Sequence, residues 1–286
     1  TPSTPAGIIF TPIGGGIYRL SGTASVSGTF TYTVSTLGPC LKPSLGGTLN
    51  ITPDLTVTLR AGDNANQTVC INNAIVNIRY DIGGSGTGGT VSGLPTGITG
   101  TYAGGVLTIQ GTPTVSGIFT YTINPAGPCP YPGVPITGTI TVDNDATIAL
   151  NSGPGTDNQE KCVNNAITNI DYLIGGGGTG ATISWTPSAP AGINFTPVGG
   201  GIYRISGTAS VSGTFSYTIS TLGPCLKPSL GGTLNVNPLP TASFSGTAEA
   251  CQNDAVLPAI TFTGAGGTRP YTFTYTIDPG TGPGLP

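Results

Sequence analysis

The most reactive side chains in this 286-residue chain are six cysteines, at positions 40, 70, 129, 162, 225 and 251. A thiol can serve as nucleophile, metal ligand or half of a disulfide, and its neighbours decide among these. The chain contains no histidine. That removes the base of any Ser-His-Asp or Cys-His arrangement and every histidine-based metal site. Cys70 and Cys162 each open a Cys-x-Asn-Asn-Ala element, whereas Cys129 and Cys225 each sit in a Gly-Pro-Cys turn. Two motifs recurring in alternation read as a disulfide framework, which implies an oxidising, extracellular setting.

Which cysteines pair depends on the units that carry them. Residues 1–50 match residues 186–235 at an offset of 185 with six differences, and Cys70–Gly88 matches Cys162–Gly180 at an offset of 92 with 14 of 19 positions identical. Self-similarity of this kind marks tandem copies of one module. The register gives complete modules at 54–142 and 143–236, the C-terminal half of a module at 1–53, and the N-terminal half of a further one at 237–286. The chain reads as a window on a longer array, and the absence of methionine and of a leader agrees with an internal or processed piece. Pairing within modules predicts Cys70–Cys129 and Cys162–Cys225, partners separated by 59 and 63 residues. On the chain-entropy model each bridge is worth about 4 kcal/mol. Cys40 and Cys251 are then half-module cysteines whose partners lie outside the segment; a Cys40–Cys70 bridge is the alternative and crosses a module boundary.

Glycine (48) and proline (26) make up about a quarter of the residues, too many for long helices. An apolar content of 37% is too high for a solvated coil. Within each module the apolar period is two: Ile78, Tyr80 and Ile82; Ile170, Tyr172 and Ile174; Phe119, Tyr121 and Ile123; Phe215, Tyr217 and Ile219; Phe30, Tyr32 and Val34. Glycine-rich turns every 8–12 residues or so separate these runs, the spacing of a sandwich. The predicted fold is all-β: tandem Ig-like β-sandwich modules of about seven short strands each, joined by proline-stiffened linkers and arranged end to end as a rod. Eight Lys and Arg without a basic run exclude nucleic-acid binding, and no apolar stretch reaches the roughly 18 residues of a membrane span.

Two sets of motifs carry a family likeness. Leu94-Pro95-Thr96-Gly97-Ile98, Gly111-Thr112-Pro113-Thr114 and Ser116-Gly117-Ile118-Phe119-Thr120-Tyr121 resemble bacterial Ig-like modules of large surface proteins, with Ala191-Gly192-Ile193, Ser206-Gly207-Thr208 and Ser212-Gly213-Thr214-Phe215 as a variant copy. Cys251-Gln252-Asn253-Asp254, Ile260–Ala265 and Pro270–Tyr275 are similar to repeats of the giant SprB-like adhesins of gliding Bacteroidetes. The resemblance implies cell-surface display, adhesion, gliding motility, and export by the type IX secretion machinery.

Other candidate sites have structural readings. Gly83–Gly89 and Gly175–Gly180 lack the Lys-Ser/Thr ending and helix of a phosphate loop and are predicted to be flexible connections. Asp143-Asn144-Asp145, with Asp63-Asn64 and Asp157-Asn158, offers oxygen ligands for calcium, but sparse acidity favours solvated turns. Trp185, with Tyr102 and Tyr131, is a candidate sugar platform, set against a core tryptophan near a Cys162–Cys225 bridge. Asn50, Asn66 and Asn194 fit the N-glycosylation pattern, which a threonine-rich chain produces by chance. Arg19 and Arg204 are placed on a solvent face. No acid/base constellation repeats, and no cofactor or metal is expected. The sequence therefore points to a non-catalytic segment of a long extracellular adhesin that contacts a surface polysaccharide or other extracellular ligand. The alternative is a carbohydrate-binding or spacer array of a secreted enzyme.

Overall fold

The period-two alternation is realised as strands. The computed structural model describes residues 5–245, 255, 259–267 and 269–276, and among them are 22 strands and no helix. The chain divides into two units, residues 1–144 and 145–286.

The first unit opens with two hairpins, β1 (Ile8–Gly14) with β2 (Ile17–Gly22) and β3 (Gly28–Ser35) with β4 (Ser44–Ile51). Eight strands follow: β5 (Thr56–Leu59), β6 (Asn66–Cys70), β7 (Ile78–Gly83), β8 (Gly88–Ser92), β9 (Ile98–Ala103), β10 (Val106–Gly111), β11 (Gly117–Ala126) and β12 (Ile136–Asp143). They form two four-stranded sheets in the orders β5-β7-β10-β9 and β6-β12-β11-β8. Every pairing is antiparallel except that of β6 with β12. Ile78, Tyr80, Ile82, Leu107 and Ile109 from one sheet meet Tyr121, Ile123, Ile140 and Val142 from the other in one buried core. Each such side chain contributes about 1.5–3 kcal/mol by leaving water.

The count is eight strands rather than seven because the first strand changes sheet. After β5 the chain turns at Arg60–Asp63, with Asp63 N–H donating to Arg60 O at 3.1 Å, and continues as β6 in the opposite sheet. The longest strand of this sandwich, β11, runs to 10 residues.

The second unit repeats the plan with β13 (Ala146–Leu150), β14 (Asn158–Cys162), β15 (Ile170–Gly176), β16 (Gly180–Thr186), β17 (Ile193–Gly199), β18 (Ile202–Gly207), β19 (Gly213–Leu222) and β20 (Ser229–Asn237). Its sheets run β13-β15-β18-β17 and β14-β20-β19-β16, the latter again with one parallel pair, β14 on β20. Ile170, Tyr172, Ile205, Phe215, Tyr217, Ile219, Leu234 and Val236 are buried between them. A last antiparallel pair joins β21 (Thr241–Ser245) and β22 (Thr261–Ala265).

The glycine-rich connections are tight turns rather than the flexible loops expected. Gly86 N–H donates to Gly83 O at 3.0 Å and Thr87 N–H to Ala126 O at 2.8 Å; Gly178 and Thr179 do the same with Gly175 O and Leu222 O. Gly84 and Gly176 have φ of 64° and 59°, and a Cβ there would stand 1.8 and 2.2 Å from the carbonyl oxygens of Asp54 and Asp145. Glycine is required because the incoming chain lies directly against the turn.

Candidate functional site at the two ends of each sandwich

Each sandwich has a head, where the chain enters, and a tail, where it leaves. The motifs singled out in the sequence divide between them. At the tail of the first, Cys70 lies opposite Asp143, the last residue of β12, and Ile71 N–H donates to Asp143 O at 2.8 Å. Asn72 follows with φ of 62°, a left-handed conformation that asparagine tolerates better than most residues. Its N–H donates to Pro113 O at 2.9 Å, and Asn73 N–H returns to Cys70 O at 3.1 Å. The tail of the second is the same: Cys162 opposite Asn237, Asn164 at φ of 66° bonded to Ala209 O, and Asn165 bonded back to Cys162 O. The Cys-x-Asn-Asn-Ala element is thus a turn that fixes a sulfur at the tail.

The Gly-Pro-Cys turns occupy the heads. The Cys129 thiol faces Thr52 O at 3.9 Å, and a Cβ on Gly127 would lie 2.5 Å from Ser85 O. In the second sandwich, Ala146 N–H donates to Leu226 O at 3.1 Å and Leu226 N–H donates to Asp145 Oδ1 at 3.2 Å, holding the residue after Cys225 against the start of β13.

This placement corrects the pairing expected within modules. Strand β12 separates the ends of the first sandwich, and its seven steps from Ile136 to Asp143 span about 23 Å. A disulfide needs Cα atoms within about 7 Å. Cys70 and Cys129 stand at opposite ends, as do Cys162 and Cys225. Cys129 and Cys162 are free thiols, as is Cys40, while Cys70 and Cys225 are disulfide-bonded. Neither Cys70–Cys129 nor Cys162–Cys225 is formed. Cys251 lies outside the described residues.

Between the ends, buried polar groups brace the two sheets. The Tyr80 and Tyr121 hydroxyls are 3.0 Å apart, and Tyr121 donates onward to Ala65 O at 2.9 Å. Tyr172, Tyr217 and Asp157 O repeat the arrangement at 3.0 and 3.0 Å. Burial, and then the bond to the partner tyrosine, pushes the hydroxyls of Tyr121 and Tyr217 far above the ordinary tyrosine range, so both stay protonated donors. Gly138 and Gly232 make room for these rings: a Cβ on either would fall 2.3 Å from the tyrosine oxygen.

Gln67 bridges like a strand, donating to Val76 O at 2.8 Å and accepting from Val76 N–H at 3.0 Å; Gln159 does so with Thr168. The sequence reading missed both glutamines, although their identical place in the two copies was a visible signal.

The ionic contacts are not repeated. Asp63, expected in a solvated turn, is nearly buried and accepts from Arg79 through Nη2 at 2.8 Å and through the backbone N–H at 2.8 Å. These bonds hold its carboxyl below the usual carboxylate range. In the second copy Asp171 stands where Arg79 does, and pairs with Arg204 at 2.7 and 2.8 Å. Arg204 is thus in an ion pair, whereas Arg19 is exposed.

The remaining candidates do not assemble into a ligand site. Trp185 is partly buried on the second core, its ring centroid 5.1 Å from that of Tyr217, while Tyr102 and Tyr131 pack on the first core. Asp145 is engaged by Leu226, Asn64 Oδ1 accepts from Asn66 N–H, and Asn158 Oδ1 accepts from Thr233. Among the described residues no group of three His, Cys, Asp or Glu side chains is placed to hold a metal ion. Asn50, Asn66 and Asn194 are exposed.

A split first strand, strands 1-3-6-5 on one sheet and 2-8-7-4 on the other, and a core between them define an Ig-like β-sandwich, here present in tandem. No protein-family model and no curated protein matches the chain. The fold is similar to that of a solved three-Ig fragment of titin, domains I67–I69 in an E-to-A variant, at 12% identity, a TM-score of 0.55, and coverage of 82% of this chain and 83% of that one. Weaker likenesses are the I-band fragment I67–I69 from titin (12% identity, TM-score 0.46, 66% and 68% covered) and the protocadherin GammaB4 extracellular domain (12%, 0.38, 90% and 47%).

Proposed function

We propose that the chain is a non-catalytic repeat segment of a long extracellular surface adhesin, with complete modules at 54–142 and 143–236 flanked by partial ones at 1–53 and 237–286. The observation that carries this reading is what the two sandwiches share. The tyrosine pair, the bridging glutamine, the left-handed asparagine and the sulfur at each end recur, while the charged surface groups do not. What is repeated is scaffold. The family likeness to surface adhesins of gliding Bacteroidetes supports display through type IX secretion. The extracellular ligand is a surface polysaccharide or comparable polymer, gripped by many weak contacts along an array rather than by one tight pocket.

The test compares one copy with many. The free chain should show no saturable binding on a glycan array, whereas beads coated with it should be retained under flow on a polysaccharide film, and beads coated with reduced, alkylated chain should not. Saturable binding of the free chain to one sugar would favour the carbohydrate-binding array of a secreted enzyme instead, and release of soluble sugar would make the segment an enzyme.

A further inference from the structure

One row of side chains near the tail of the second sandwich differs from its counterpart in the first. Strand β14 puts Glu160 beside Asn235 of β20, and Asn235 lies beside Thr214 of β19. All three are exposed, while Leu234, Val236 and Phe215, their neighbours along the strands, are buried. Adjacent strands stand about 4.8 Å apart, so the row presents a carboxylate, an amide and a hydroxyl at regular spacing. The same row in the first sandwich is Thr68, Thr141 and an exposed Ile118, with no carboxylate.

The row borders a groove of about 450 Å³, completed by Ser212, Asn237 and Pro238. Asn237 Nδ2 donates to Glu160 Oε1 at 2.7 Å, which orients the carboxylate and leaves Oε2 to accept from a ligand. Ser212, Thr214 and Asn235 line the groove with groups that both donate and accept. A second groove of about 210 Å³ also reaches Glu160 and is lined by Thr156, Lys161 and Thr168. Two hollows meeting at one carboxylate make a track for an extended chain rather than a pit for a small molecule. Glu160 disfavours an anionic polymer and Lys161 a cationic one, and together they carry no net charge.

Taking the chain as the adhesive segment proposed above, we infer that this track in the second sandwich is one of its weak contacts and takes a neutral polysaccharide chain. A run of sugar hydroxyls suits the row. They donate to Glu160 Oε2, and they both donate to and accept from Ser212, Thr214 and the Asn235 amide. The bonds to the carboxylate are the strongest of these because they are charge-assisted. The Pro238 ring offers an apolar surface to the C–H face of a pyranose. An open polar groove exchanges water's hydrogen bonds for the ligand's, so each contact nets little. Affinity per site then falls in the millimolar range, too weak to saturate on a glycan array and sufficient when many copies act together. The first sandwich, with Ile118 in the row, does not share this contact.

The test uses the whole oxidised chain, isotope-labelled for amide NMR. It is titrated to about 10 mM with cello-, manno-, xylo- and laminarihexaose, and with hexagalacturonate as the anionic control. At least one neutral hexasaccharide should shift the amides of residues 160–162, 212–214 and 235–237, almost linearly over that range. Hexagalacturonate should shift them at least about threefold less. Glu160→Ala should cut the shifts by about threefold or more, as should Thr214→Ile, which copies the row of the first sandwich. Thr68→Ala should leave them unchanged. Urea titration followed by the fluorescence of Trp185 checks that each variant is folded. No shift with any of the four, shifts centred elsewhere, an equal response to hexagalacturonate, or full shifts in Glu160→Ala would each overturn the assignment. Retention of coated beads on a polysaccharide film while these amides stay still would overturn the groove and spare the adhesive reading. Shifting amides in a chain whose beads are not retained would support the groove and sink the adhesive reading.

Discussion

Residues 1–50 and 186–235 share 44 of 50 positions, yet their apolar side chains end in different surroundings. Phe215, Tyr217 and Ile219 of β19 are buried at 6, 3 and 0% exposure, whereas Tyr32 and Val34, the counterparts of the last two on β3, are 42 and 39% exposed. Both regions form the same hairpins in the same register, Phe30 on Leu49 and Phe215 on Leu234. The difference is β13–β16, which add two strands to each of the sheets that β17–β20 help to form; among the described residues β1–β4 pair only with one another. Local sequence suffices for strands and register, while burial needs the other half of the sandwich. A two-stranded hairpin alone is marginal in water, so pairing alone gives β1–β4 little stability.

The contrast can be tested with matched substitutions, and the largest effect belongs to the core. Ile219→Ala should lower the unfolding free energy of the second sandwich by about 2–5 kcal/mol, whereas Val34→Ala should fall within about 0.5 kcal/mol of no change. Urea titration followed by the fluorescence of Trp185, the one tryptophan, reads this directly because that ring packs on Tyr217. Tyr217→Phe removes the donor to Asp157 O and a partner of Tyr172, at a cost of about 1–3 kcal/mol, with little change for Tyr32→Phe.

Gly232→Ala should cost about 1–3 kcal/mol through overpacking, since its Cβ would meet the Asp157 carbonyl as well as Tyr217. At Gly47 the nearest atoms belong to the exposed Tyr32 ring, which can swing away, so Gly47→Ala should cost less in the same titration.

The smallest effect is electrostatic. The Arg204 guanidinium bonded to Asp171 holds its carboxyl below the usual carboxylate range. The folded state therefore binds that proton less readily than the unfolded chain does. The pair's stabilisation is present above the unfolded carboxylate pKa of about 3.9 and is lost as pH falls through the lower folded value. Because both groups are partly exposed, the contribution is below about 1 kcal/mol. Acid titrations of unfolding should show Arg204→Gln flattening this loss below about pH 4, and Arg19→Gln leaving it unchanged.

Much of the fold was legible in the sequence because it is written in periods. Alternation gave the strands around Tyr80, Tyr121, Tyr172 and Tyr217, and self-similarity gave the copies. The eighth strand was not legible, since nothing in Arg60–Asn64 announces that the chain crosses to the other sheet. The cysteine pairing was not legible either. Spacing along the chain does not tell which end of a sandwich a turn occupies, and the parallel register of β6 on β12 puts Cys70 at the tail. The polar braces were hidden for a related reason: Gln67 and Ala65 meet their partners only when the two sheets close.

The measurement that bears most directly on the account is a distance within one sandwich. With Cys40, Cys162, Cys225 and Cys251 replaced by serine and nitroxides on Cys70 and Cys129, pulsed dipolar spectroscopy should give a separation above about 20 Å, set by the length of β12. A separation near 10 Å or less would put both sulfurs at one end, restore the bridge within the module, and contradict the assignment of heads and tails.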